Sequence, residues 1–510
     1  MDKQKIKTLQ DLLRESAEEY GDRTFIREKD GKDISERSFR QLYEDSCRLA
    51  GYISSKYKDV IHTAVIGASG YKWIVSYFGT VCGGNACVPL DAQLPSADIC
   101  ELLNRSDTVI FMYDERYEGI ISEIREKCPN VMEFISFSED LPKILAENEP
   151  VKLPEVSPDA LASISYTSGT TGKSKGVMLL HRNLTDNAMC QDDESTVDDV
   201  ILSILPIHHI YCFTCDILCS LRYGNQLCIN DSMMRIGQNL KLFRPTIILI
   251  VPMIAETIYK QIKSLSKAHP EIPIEEIAKN VFGDRLTTIY SGGAYLRPEL
   301  QRAYQEMGYQ MGQGYGMTEC SPRITTADRF STDCCGDVGV IVNGCQVKIV
   351  DGEITVKSPS VMAGYYKDDV ETAKALTPDG WLRTGDLGYV DGNKLFITGR
   401  KKNLIILSNG ENVSPEEIEN KFAGFDFISE ILAYNEDGVI TVEIFPNSDC
   451  YKDMTDEEID VLLKNTLLEI NQTLTSAKRV HRLRVRNKEF EKTTSKKIIR
   501  RQTERGRLVK

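Results

Sequence analysis

Apolar and polar positions along the first 330 residues alternate between a helical period and the short runs typical of buried strands. Apolar positions recur at helical spacing over residues 8–20 and 37–57. Short apolar runs occupy residues 64–68, 86–90, 108–113, 161–166, 200–205, 246–251 and 287–291. Helical stretches separate or follow them near residues 71–82, 95–104, 115–127 and 183–189. Because strands that alternate with helices in this way usually pair in parallel under a helical cover, the pattern predicts an α/β fold with mostly parallel sheets.

The pattern changes near residue 330, where short strands and turns replace the alternation of strands and helices. Examples lie at residues 347–350, 353–356 and 394–398 and predict a small β-rich subdomain. A basic, polar stretch follows Gly399, and Ser414-Pro415 then has the N-cap and N1 character of a helix start. We therefore predict a large N-terminal domain over residues 1–399, with the β-rich subdomain at about 330–399, and a small α+β C-terminal domain over residues 400–510.

Composition narrows the class of protein. The chain has 510 residues, of which 41% are hydrophobic and 27% charged, and its formal net charge is −13. These values are typical of a globular protein, and the acidic total argues against general binding to nucleic acid or anionic membranes. No apolar run approaches the roughly 18–20 residues that span a bilayer, and the N-terminal segment lacks the apolar core of a secretory signal. Fifteen cysteines are too dilute for a disulfide scaffold, so we expect a cytoplasmic location.

Charge is unevenly distributed along the chain. Residues 478–510 contain 14 Lys or Arg against three Glu, a net of +11, which leaves −24 for residues 1–477. Such a run is either a solvated surface of the C-terminal module or a surface for a polyanionic ligand. The charge distribution alone does not distinguish the two interpretations.

The densest concentration of chemical groups is the segment Tyr166-Thr-Ser-Gly-Thr-Thr-Gly-Lys-Ser-Lys-Gly176, which follows an apolar run. Its glycines allow backbone N–H groups to wrap an anion, its hydroxyl side chains donate hydrogen bonds, and its lysines supply positive charge. These features predict a loop that binds polyphosphate rather than a flexible surface turn. A Walker A loop ending at Gly172-Lys173-Ser174 would require glycine at the position of Thr167. The segment is therefore a phosphate loop of a different kind.

With this loop, the chain resembles the superfamily of acyl-adenylate-forming enzymes, which includes acyl-CoA synthetases, peptide-synthetase adenylation domains and firefly luciferase. The family loop has the form YTSGTTGxPKG, and Ser174 replaces the usual proline. Further family motifs follow in order, namely Leu205-Pro-Ile-His-His209, Ser291-Gly-Gly-Ala294, Gln313-Gly-Tyr-Gly-Met-Thr-Glu319, Trp381-Leu-Arg-Thr-Gly-Asp386, Gly399-Arg-Lys-Lys-Asn403, Asn409-Gly-Glu-Asn-Val-Ser-Pro-Glu-Glu-Ile-Glu419 and Lys492-Thr-Thr-Ser-Lys-Lys-Ile-Ile-Arg500. The resemblance extends over almost the whole chain, and the last two motifs look most like those of bacterial long-chain acyl-CoA synthetases.

The resemblance implies a nucleotide site built from several of these motifs. It assigns the adenine ring to Tyr315, Mg²⁺ to the carboxylate of Glu319, and a phosphate contact to the hydroxyl of Thr318. Asp386 would accept hydrogen bonds from the ribose hydroxyls, and Arg400 would donate toward the same nucleotide. The implied ATP- and AMP-binding residues are Thr167, Ser168, Gly169, Thr170, Thr171, Gly172, Lys175, Gly292, Gly293, Ala294, Gly314, Tyr315, Gly316, Asp386 and Arg400.

The pair His208-His209 invites comparison with the HHxxxD motif of acyl-transferring enzymes. That motif would require aspartate at the position of Phe213, so we reject it. The resemblance instead places His209 between the nucleotide and acyl pockets, where it shapes the carboxylate site. A general base is not needed there, because a carboxylic acid is already ionised at neutral pH.

Three cysteines at helical spacing, Cys212, Cys215 and Cys219, raise the question of a metal site. With no second Cys/His pair at usable spacing nearby, packing in the core is the favoured interpretation. Their small side chains would line or border the acyl pocket that the resemblance implies.

The C-terminal motif of the family has the form KTxTGKIxR, and its second lysine reaches the active site. The counterpart in this chain is Lys497, with Lys496 in place of the glycine, and the following Ile498-Ile-Arg500 fixes the register. By the same resemblance, Lys402 is the hinge of a mobile C-terminal domain, which rotates so that one domain serves two half-reactions.

The function implied by the resemblance is that of an acid–thiol ligase whose catalytic residues are Lys497, Glu319, Thr318 and His209. A carboxylate, that of a medium- or long-chain fatty acid by the nearest resemblance, attacks the α-phosphorus of Mg·ATP and expels pyrophosphate. Coenzyme A then attacks the acyl-adenylate, giving acyl-CoA and AMP. In this interpretation the basic C-terminal region attracts the phosphates of coenzyme A.

Two alternatives remain open from the sequence. In the first, the acyl group passes to the phosphopantetheine of an acidic acyl carrier protein, which the basic region docks. In the second, the chain is a nucleotide-binding regulator that lacks catalysis. The joint presence of Glu319, Asp386 and Lys497 argues against the regulator.

The two half-reactions give a prediction for the C-terminal motif. Lys497→Ala should slow adenylation by at least about 10²–10³, the cost of losing one preorganised charge-stabilising donor, and should spare acyl transfer from a supplied acyl-adenylate. Lys402→Pro should spare adenylation and slow acyl transfer to the thiol, because fixing φ near roughly −65° obstructs rotation at the hinge. Pyrophosphate exchange and thioester formation measure the two steps. Lys496→Ala is the register control, and a severe effect of that variant would move the assignment by one residue.

Overall fold

The computed structural model describes residues 1–167, 174–191, 195–327, 336–407, 412–422, 424–447, 450–452, 454–492, 498–500, 502 and 504–509. The chain divides into two compact units. The first comprises Met1–Val347, Val356–Leu382 and Asn393–Leu395. The second comprises Lys348–Thr355, Arg383–Gly392 and Phe396–Lys510. The boundary at residue 400 that the sequence suggests stays a prediction.

The first half of the first unit follows the alternation of strands and helices that the sequence predicts. Its elements are α1 (Leu9–Tyr20), β1 (Thr24–Asp30), β2 (Asp33–Ser38), α2 (Phe39–Lys56), β3 (His62–Ile66), α3 (Tyr71–Cys82), β4 (Ala86–Pro89), α4 (Ser96–Arg105), β5 (Thr108–Tyr113), α5 (Ile121–Lys127), β6 (Glu133–Ser136), α6 (Asp140–Glu147), β7 (Leu161–Thr167) and β8 (Lys175–Leu180). A 3₁₀ turn, Glu115–Ile120, precedes α5.

The alternation then continues to residue 313. The elements are α7 (His181–Met189), β9 (Val200–Ser203), α8 (Ile210–Cys212), α9 (Cys219–Tyr223), β10 (Gln226–Ile229), α10 (Ile236–Phe243), β11 (Ile247–Ile250), α11 (Pro252–Ala268), α12 (Ile274–Phe282), β12 (Thr288–Ser291), α13 (Pro298–Glu306) and β13 (Gln310–Gln313). A π-helical turn, Phe213–Leu218, joins α8 to α9.

Beyond β13 the regular alternation of strands and helices ends. The elements up to residue 400 are β14 (Thr325–Thr326), β15 (Val340–Ile341), β16 (Gln346–Val350), β17 (Glu353–Lys357), β18 (Gly364–Tyr365), α14 (Asp369–Ala375), β19 (Leu382–Asp391) and β20 (Lys394–Arg400). They are followed by β21 (Ile405–Ile406), β22 (Asn412–Val413), α15 (Pro415–Phe422), β23 (Ile428–Glu436), β24 (Val439–Pro446), α16 (Asp456–Thr473), β25 (Arg482–Val485) and β26 (Arg507–Leu508).

Two sheets organise the first unit. The first has the strand order β13-β12-β11-β9-β10-β1-β2, parallel from β13 to β1 and ending in the antiparallel β1–β2 hairpin. The second has the order β18-β8-β7-β4-β3-β5-β6, parallel from β7 to β6, with β8 and β18 added antiparallel at one edge. These mostly parallel sheets, together with the smaller second unit, confirm the predicted α/β fold class.

The start of α2 differs from the helical period seen in the sequence, which begins at residue 37. Residues 37 and 38 end β2, and the side chain of Ser38 accepts a hydrogen bond from the backbone N–H of Gln41, so the helix begins at Phe39. The β1–β2 hairpin was missed because β2 is a polar edge strand without a buried face. A period-2 pattern is weak in such a strand.

The core of the first unit includes a cluster of aromatic side chains on α3. Trp73, Tyr77 and Phe78 are almost fully buried. The ring of Phe213 lies 4.2 Å from that of Tyr77 and 6.1 Å from that of Trp73, between ring centroids. The side chain that rules out the HHxxxD motif is therefore a core residue, and large side chains of this kind contribute about 1.5–3 kcal/mol each through burial.

Within the described part of the chain, none of the helices combines the length and the apolar character that crossing a bilayer requires.

In the second unit, the basic residues of the C-terminal region pair with carboxylates of the same unit. The ion pairs include Lys478–Glu417, Arg482–Asp437, Arg484–Glu436, Arg486–Glu443, Lys492–Glu430, Arg500–Glu419, Arg505–Glu443 and Arg507–Asp460. Much of the positive charge is thus neutralised internally. This finding weakens the interpretation of the run as a surface that attracts a polyanion. Partly exposed pairs such as Arg507–Asp460 still fit a solvated surface.

The most buried of these pairs holds the end of the chain on the sheet β23-β24-β25-β26. The side chain of Glu443 is fully buried, and its carboxylate accepts hydrogen bonds from the Arg486 guanidinium at 3.4 Å and from the backbone N–H of Gly506 at 2.6 Å. Arg505 adds a second cation at 3.5 Å. A buried carboxylate needs such partners, because an uncompensated charge in the interior is costly.

Arg486→Met should therefore destabilise the second unit by about 3 kcal/mol, the low end for breaking a buried pair, because Arg505 still contacts Glu443. The matched control is Arg482→Met, which removes the more exposed ion pairs with Asp437 and Glu436 and should cost far less, because solvent screens such pairs. Urea unfolding followed by a probe in the second unit measures both. Equal losses in the two variants would show that the Glu443 cluster is no more important than a surface pair.

Candidate functional site

Several predicted site residues follow the ends of neighbouring parallel strands. Gly292, Gly293 and Ala294 follow β12, Gly314 to Gly316 follow β13, and the His208-His209 segment follows β9. In the sheet the order of these strands is β13-β12-β11-β9. Because parallel strands end on the same edge, the motifs lie along one edge of one sheet, which is where open α/β sheets bind ligands.

Backbone contacts fix the turn that follows β13. The N–H of Gly314 donates to the carbonyl of Ser291 at 3.0 Å, and the N–H of Tyr315 donates to the hydroxyl of Thr325 at 2.9 Å. A Cβ at Gly316 would lie 2.1 Å from the carbonyl oxygen of Pro322. The second glycine of the Gly-Tyr-Gly motif is thus required by a close approach of two backbone segments.

A buried amide holds the 3₁₀ turn Thr318–Cys320, which carries two of the predicted site residues. The Nδ2 of Asn187, on α7, donates to the carbonyls of Cys320 at 3.0 Å and Arg323 at 3.1 Å. Its Oδ1 accepts from the backbone N–H of Arg323 at 3.2 Å. The position of Glu319 therefore depends on α7 as well as on β13.

Tyr365, on β18, contacts two predicted site residues that are distant in sequence, one on β8 and one in the 3₁₀ turn Thr318–Cys320. Its hydroxyl donates to Oε1 of the buried Glu319 at 2.8 Å, and the Nζ of Lys175, on β8, lies 4.8 Å from its ring centroid. Burial and the neighbouring Glu319 carboxylate raise the pKa of Tyr365, so its hydroxyl keeps its proton and donates. The structure thus brings a cation and a carboxylate to one ring.

Lys175 also forms an ion pair with Glu371, on α14. Glu371 contacts Lys374 at 2.6 Å as well, and its hydrogen bonds to Lys175 and then to Lys374 lower its pKa to about 2. Sequence reasoning missed both Tyr365 and Glu371. The doublet Tyr365-Tyr366 beside a glycine was the only hint of the first, and a single glutamate on a short polar helix gave no hint of the second.

The predicted phosphate loop connects β7 to β8, which form an antiparallel hairpin. Thr167 pairs with Lys175, and Tyr166 pairs with Gly176. The predicted residues Ser168, Gly169, Thr170, Thr171 and Gly172 lie outside the described residues.

The two histidines differ in their surroundings. His209 is exposed, and its Nδ1 accepts a hydrogen bond from the backbone N–H of Tyr211 at 3.3 Å, which caps the start of α8. Burial lowers the pKa of His208, and Asp91, 3.8 Å from its Nε2, opposes that shift. His209 therefore has a local structural role, whatever ligand it faces.

The outer two of the three cysteines after His209 are packed in the core, and Cys215 between them is partly exposed. Cys212 is fully buried and Cys219 nearly so, in the helical segment that includes the π-helical turn. The Sγ of Cys212 donates to the carbonyl of Leu205 at 3.3 Å and contacts Asp216, whose pKa burial raises to about 7. These contacts favour the packing interpretation.

In the second unit, the structure places Asp386 and Arg400 together. The guanidinium of Arg400 lies 2.9 Å from the buried Asp386 carboxylate, and the backbone N–H of Asp386 donates to the hydroxyl of Thr384 at 3.1 Å. Lys402, the predicted hinge, is in the 3₁₀ turn Lys401–Asn403.

Lys497 lies outside the described residues, but the chain on both sides of it is anchored within the second unit. Lys492 pairs with Glu430 and forms an isolated antiparallel bridge with Ile498. Arg500 contacts Glu416 and Glu419, each at 2.9 Å. Glu416 also accepts a hydrogen bond from the side chain of Asn403 at 2.6 Å, beside the predicted hinge.

Comparison with known proteins identifies relatives over most of the chain. A long-chain-fatty-acid–CoA ligase, ACSBG2 of Xenopus laevis, is 26% identical over 488 residues, which cover 81% of this chain and 65% of the relative. 4-Coumarate–CoA ligase 1 of Arabidopsis thaliana is 28% identical over 398 residues, covering 71% of this chain and 69% of the relative. The chain spans only about half the length of several other curated relatives.

The fold itself matches solved structures. A crystal structure of the anthranilate CoA ligase AuaEII with anthranoyl-AMP superposes with a TM-score of 0.83 at 17% identity, over 98% of each chain. The model of the AMP-binding enzyme family matches residues 13–366, and that of the AMP-binding enzyme C-terminal domain matches residues 402–506. With the first of these matches alone covering more than half of its length, the chain belongs to the AMP-binding enzyme family.

Proposed function

We propose that the protein activates a carboxylic acid with ATP and transfers the acyl group to coenzyme A, with release of pyrophosphate and AMP. The observation that carries the proposal is the contact of both Lys175 and Glu319 with Tyr365. This contact brings together Lys175, a cation that can bind phosphate, and Glu319, a carboxylate that can bind a metal ion. Membership in the AMP-binding enzyme family and the acid–CoA ligases among the relatives support it.

The first half-reaction has an electrostatic difficulty, because a carboxylate must approach a polyanion. Lys175, the loop from Thr167 to Lys175 and Lys497 would neutralise the charge that builds on the phosphoryl oxygens. The Thr318 hydroxyl would donate to phosphate, and His209 would shape the site of the acid. Tyr315 would stack on adenine, beside Gly292, Gly293 and Ala294.

A magnesium ion fits the donor set at Glu319. Among the residues that the structure describes, no group of three or more His, Cys, Asp and Glu could hold a metal by itself. Mg²⁺ commonly takes one or two carboxylates together with substrate phosphates. A single buried carboxylate that shares a contact to Tyr365 with Lys175 suits it. The ion supplies charge neutralisation on the phosphates when bound.

The second unit would complete the enzyme. Asp386 would bind the ribose hydroxyls with Arg400 beside it, and Lys497 would act in adenylation and then withdraw by rotation at Lys402. We also propose that the C-terminal domain begins at about residue 400. The thiol of coenzyme A would then reach the acyl-adenylate in the second half-reaction.

For the acid, we propose a medium- or long-chain fatty acid, in keeping with the Xenopus relative and the C-terminal motifs. The coumarate and anthranilate ligases among the similar proteins define the alternatives to test. We also propose a cytoplasmic location, in keeping with cysteines that are too dilute for a disulfide scaffold.

A panel of acids scored by AMP release tests the function. The panel contains medium- and long-chain fatty acids, 4-coumarate and anthranilate, each with free coenzyme A or with a holo acyl carrier protein. We expect AMP release with fatty acids and coenzyme A. No acid-dependent AMP release and no pyrophosphate exchange would refute adenylation, and release with another acid or with the carrier alone would correct the substrate.

The role of Glu319 gives a sharper test. Glu319→Gln keeps the shape of the side chain and removes its charge, so adenylation should fall by about 10²-fold or more while the melting temperature changes little. Tyr365→Phe, which keeps the ring and removes only the hydroxyl donor, is the matched control and should have a smaller effect. Unchanged turnover and unchanged Mg²⁺ dependence in Glu319→Gln would remove this residue from the site.

Glu371 provides a second test. Its carboxylate forms an ion pair with the Lys175 ammonium and would therefore compete with a phosphate of ATP for that group. Glu371→Gln should tighten ATP binding by up to about fivefold, the range expected for a partly exposed ion pair that no longer competes. Asp369→Asn, on the same helix, removes the same charge from an exposed position and is the control. Calorimetric titration with ATP measures both. Weaker binding in Glu371→Gln would mean that Glu371 orients Lys175 instead of competing for it.

A further inference from the structure

Arg105, the last residue of α4, contacts both ends of the segment that connects β7 to β8. Its Nη2 donates to the carbonyl oxygen of Ser174 at 2.6 Å. Its guanidinium carbon lies 5.5 Å from the ring centroid of Tyr166, a cation–π contact. Tyr166 and Ser174 lie toward opposite ends of the predicted phosphate-loop segment, so one side chain contacts that segment near both of its ends.

The ring of Tyr166 is itself held from another direction. Tyr166 pairs with Gly176 across the hairpin, and a Cβ at Gly176 would lie 3.2 Å from Cε1 of the ring. The absence of a side chain at Gly176 therefore lets the ring lie close against β8. Burial raises the pKa of Tyr166 to about 12, as expected of a ring enclosed by neighbours.

Arg105 is oriented by a residue that takes no part in the hairpin. Its Nη1 donates to Oε1 of Glu101 at 3.1 Å, one helical turn earlier. With one nitrogen engaged by Glu101 and the other by Ser174, the planar guanidinium has few orientations left.

The contact occurs where this chain departs from the family loop. The family motif has proline at the position of Ser174, and proline fixes φ and so restricts the backbone. Serine imposes no such restriction. The carbonyl that accepts the hydrogen bond from Arg105 belongs to Ser174 itself. The side chain of Arg105 therefore restrains the backbone at the residue where the family has a proline.

We propose that Arg105 is a positioning residue for the phosphate loop, and that its clamp on Tyr166 and Ser174 replaces the proline of the family motif. The inference rests on the proposed function, since it assumes that the loop binds the phosphates of ATP. Arg105 does not touch the nucleotide in this account. It fixes the two ends of the loop, so that less conformational entropy is lost when ATP binds.

The test is a cycle of three variants, Arg105→Met, Ser174→Pro and the double variant. Arg105→Met keeps the apolar stem and removes the donors and the charge. The KM for ATP in pyrophosphate exchange should rise about tenfold, the loss expected for a hydrogen bond from a charged donor, with the KM for the acid nearly unchanged. Ser174→Pro alone should have little effect, and in the Arg105→Met background it should restore most of the affinity for ATP.

Several results would overturn the inference. One is an unchanged KM for ATP in Arg105→Met, another is a loss that Ser174→Pro does not rescue, and a third is an equal change in the KM for the acid. Lys127→Met removes an exposed ion pair with Glu123 on α5 and serves as the surface control. Arg105→Lys keeps the charge without the planar fork and should be intermediate, which keeps the test open if Arg105→Met folds poorly.

Hydrogen exchange separates this inference from the proposed function. In the protein without substrates, the peptide that contains residues 166–176 should exchange faster in Arg105→Met than in the wild type, and Ser174→Pro should reverse the increase. This comparison stands even if the wild type shows no pyrophosphate exchange, a result that would refute adenylation. Equal hydrogen-exchange rates of this peptide in the wild type and in Arg105→Met would refute the role of Arg105, whether or not the protein catalyses adenylation.

Discussion

The pairing of β8 with β7 on one side and with β18 on the other is the constraint on which the site depends. It places Lys175 at the end of the loop hairpin and, through β18, puts Tyr365 beside it. The hydroxyl of Tyr365 then reaches Glu319, which belongs to a turn that follows the other sheet. Two antiparallel strands added to the edge of a parallel sheet thus connect both sheets through one tyrosine, and a shift of register by one residue would point that ring to the opposite face.

Much of the fold was predictable from the sequence, because buried parallel strands and amphipathic helices leave strong local patterns. The strand at residues 161–167 and the helix at 71–82 are examples in which apolar content alone was sufficient. The β1–β2 hairpin was not predictable, since an edge strand with polar residues on both faces has no such pattern. The glycine-rich motifs were also visible, because their composition reflects backbone approaches such as that of Gly316 to Pro322.

The partners of the site residues were not predictable, for a physical reason. Glu319 and Lys175 stood out by their motifs, whereas Tyr365, Glu371 and Arg105 matter only through contacts with residues distant in sequence. Their local sequence is that of an ordinary strand, a short polar helix and a helix end. The basic C-terminal region shows the converse, because its charge was obvious in the sequence while the carboxylates that neutralise it were scattered over residues 416–460.

The carboxylate of Glu416 has a mechanical consequence. It accepts hydrogen bonds from Asn403, next to the predicted hinge, and from Arg500, just beyond the segment that contains Lys497. Both donors lie in the second unit with it, so the two segments are braced against each other by a single side chain at the start of α15. If the chain rotates at Lys402, as proposed, Asn403, Glu416 and Arg500 would move together, because Glu416 is hydrogen-bonded to the other two.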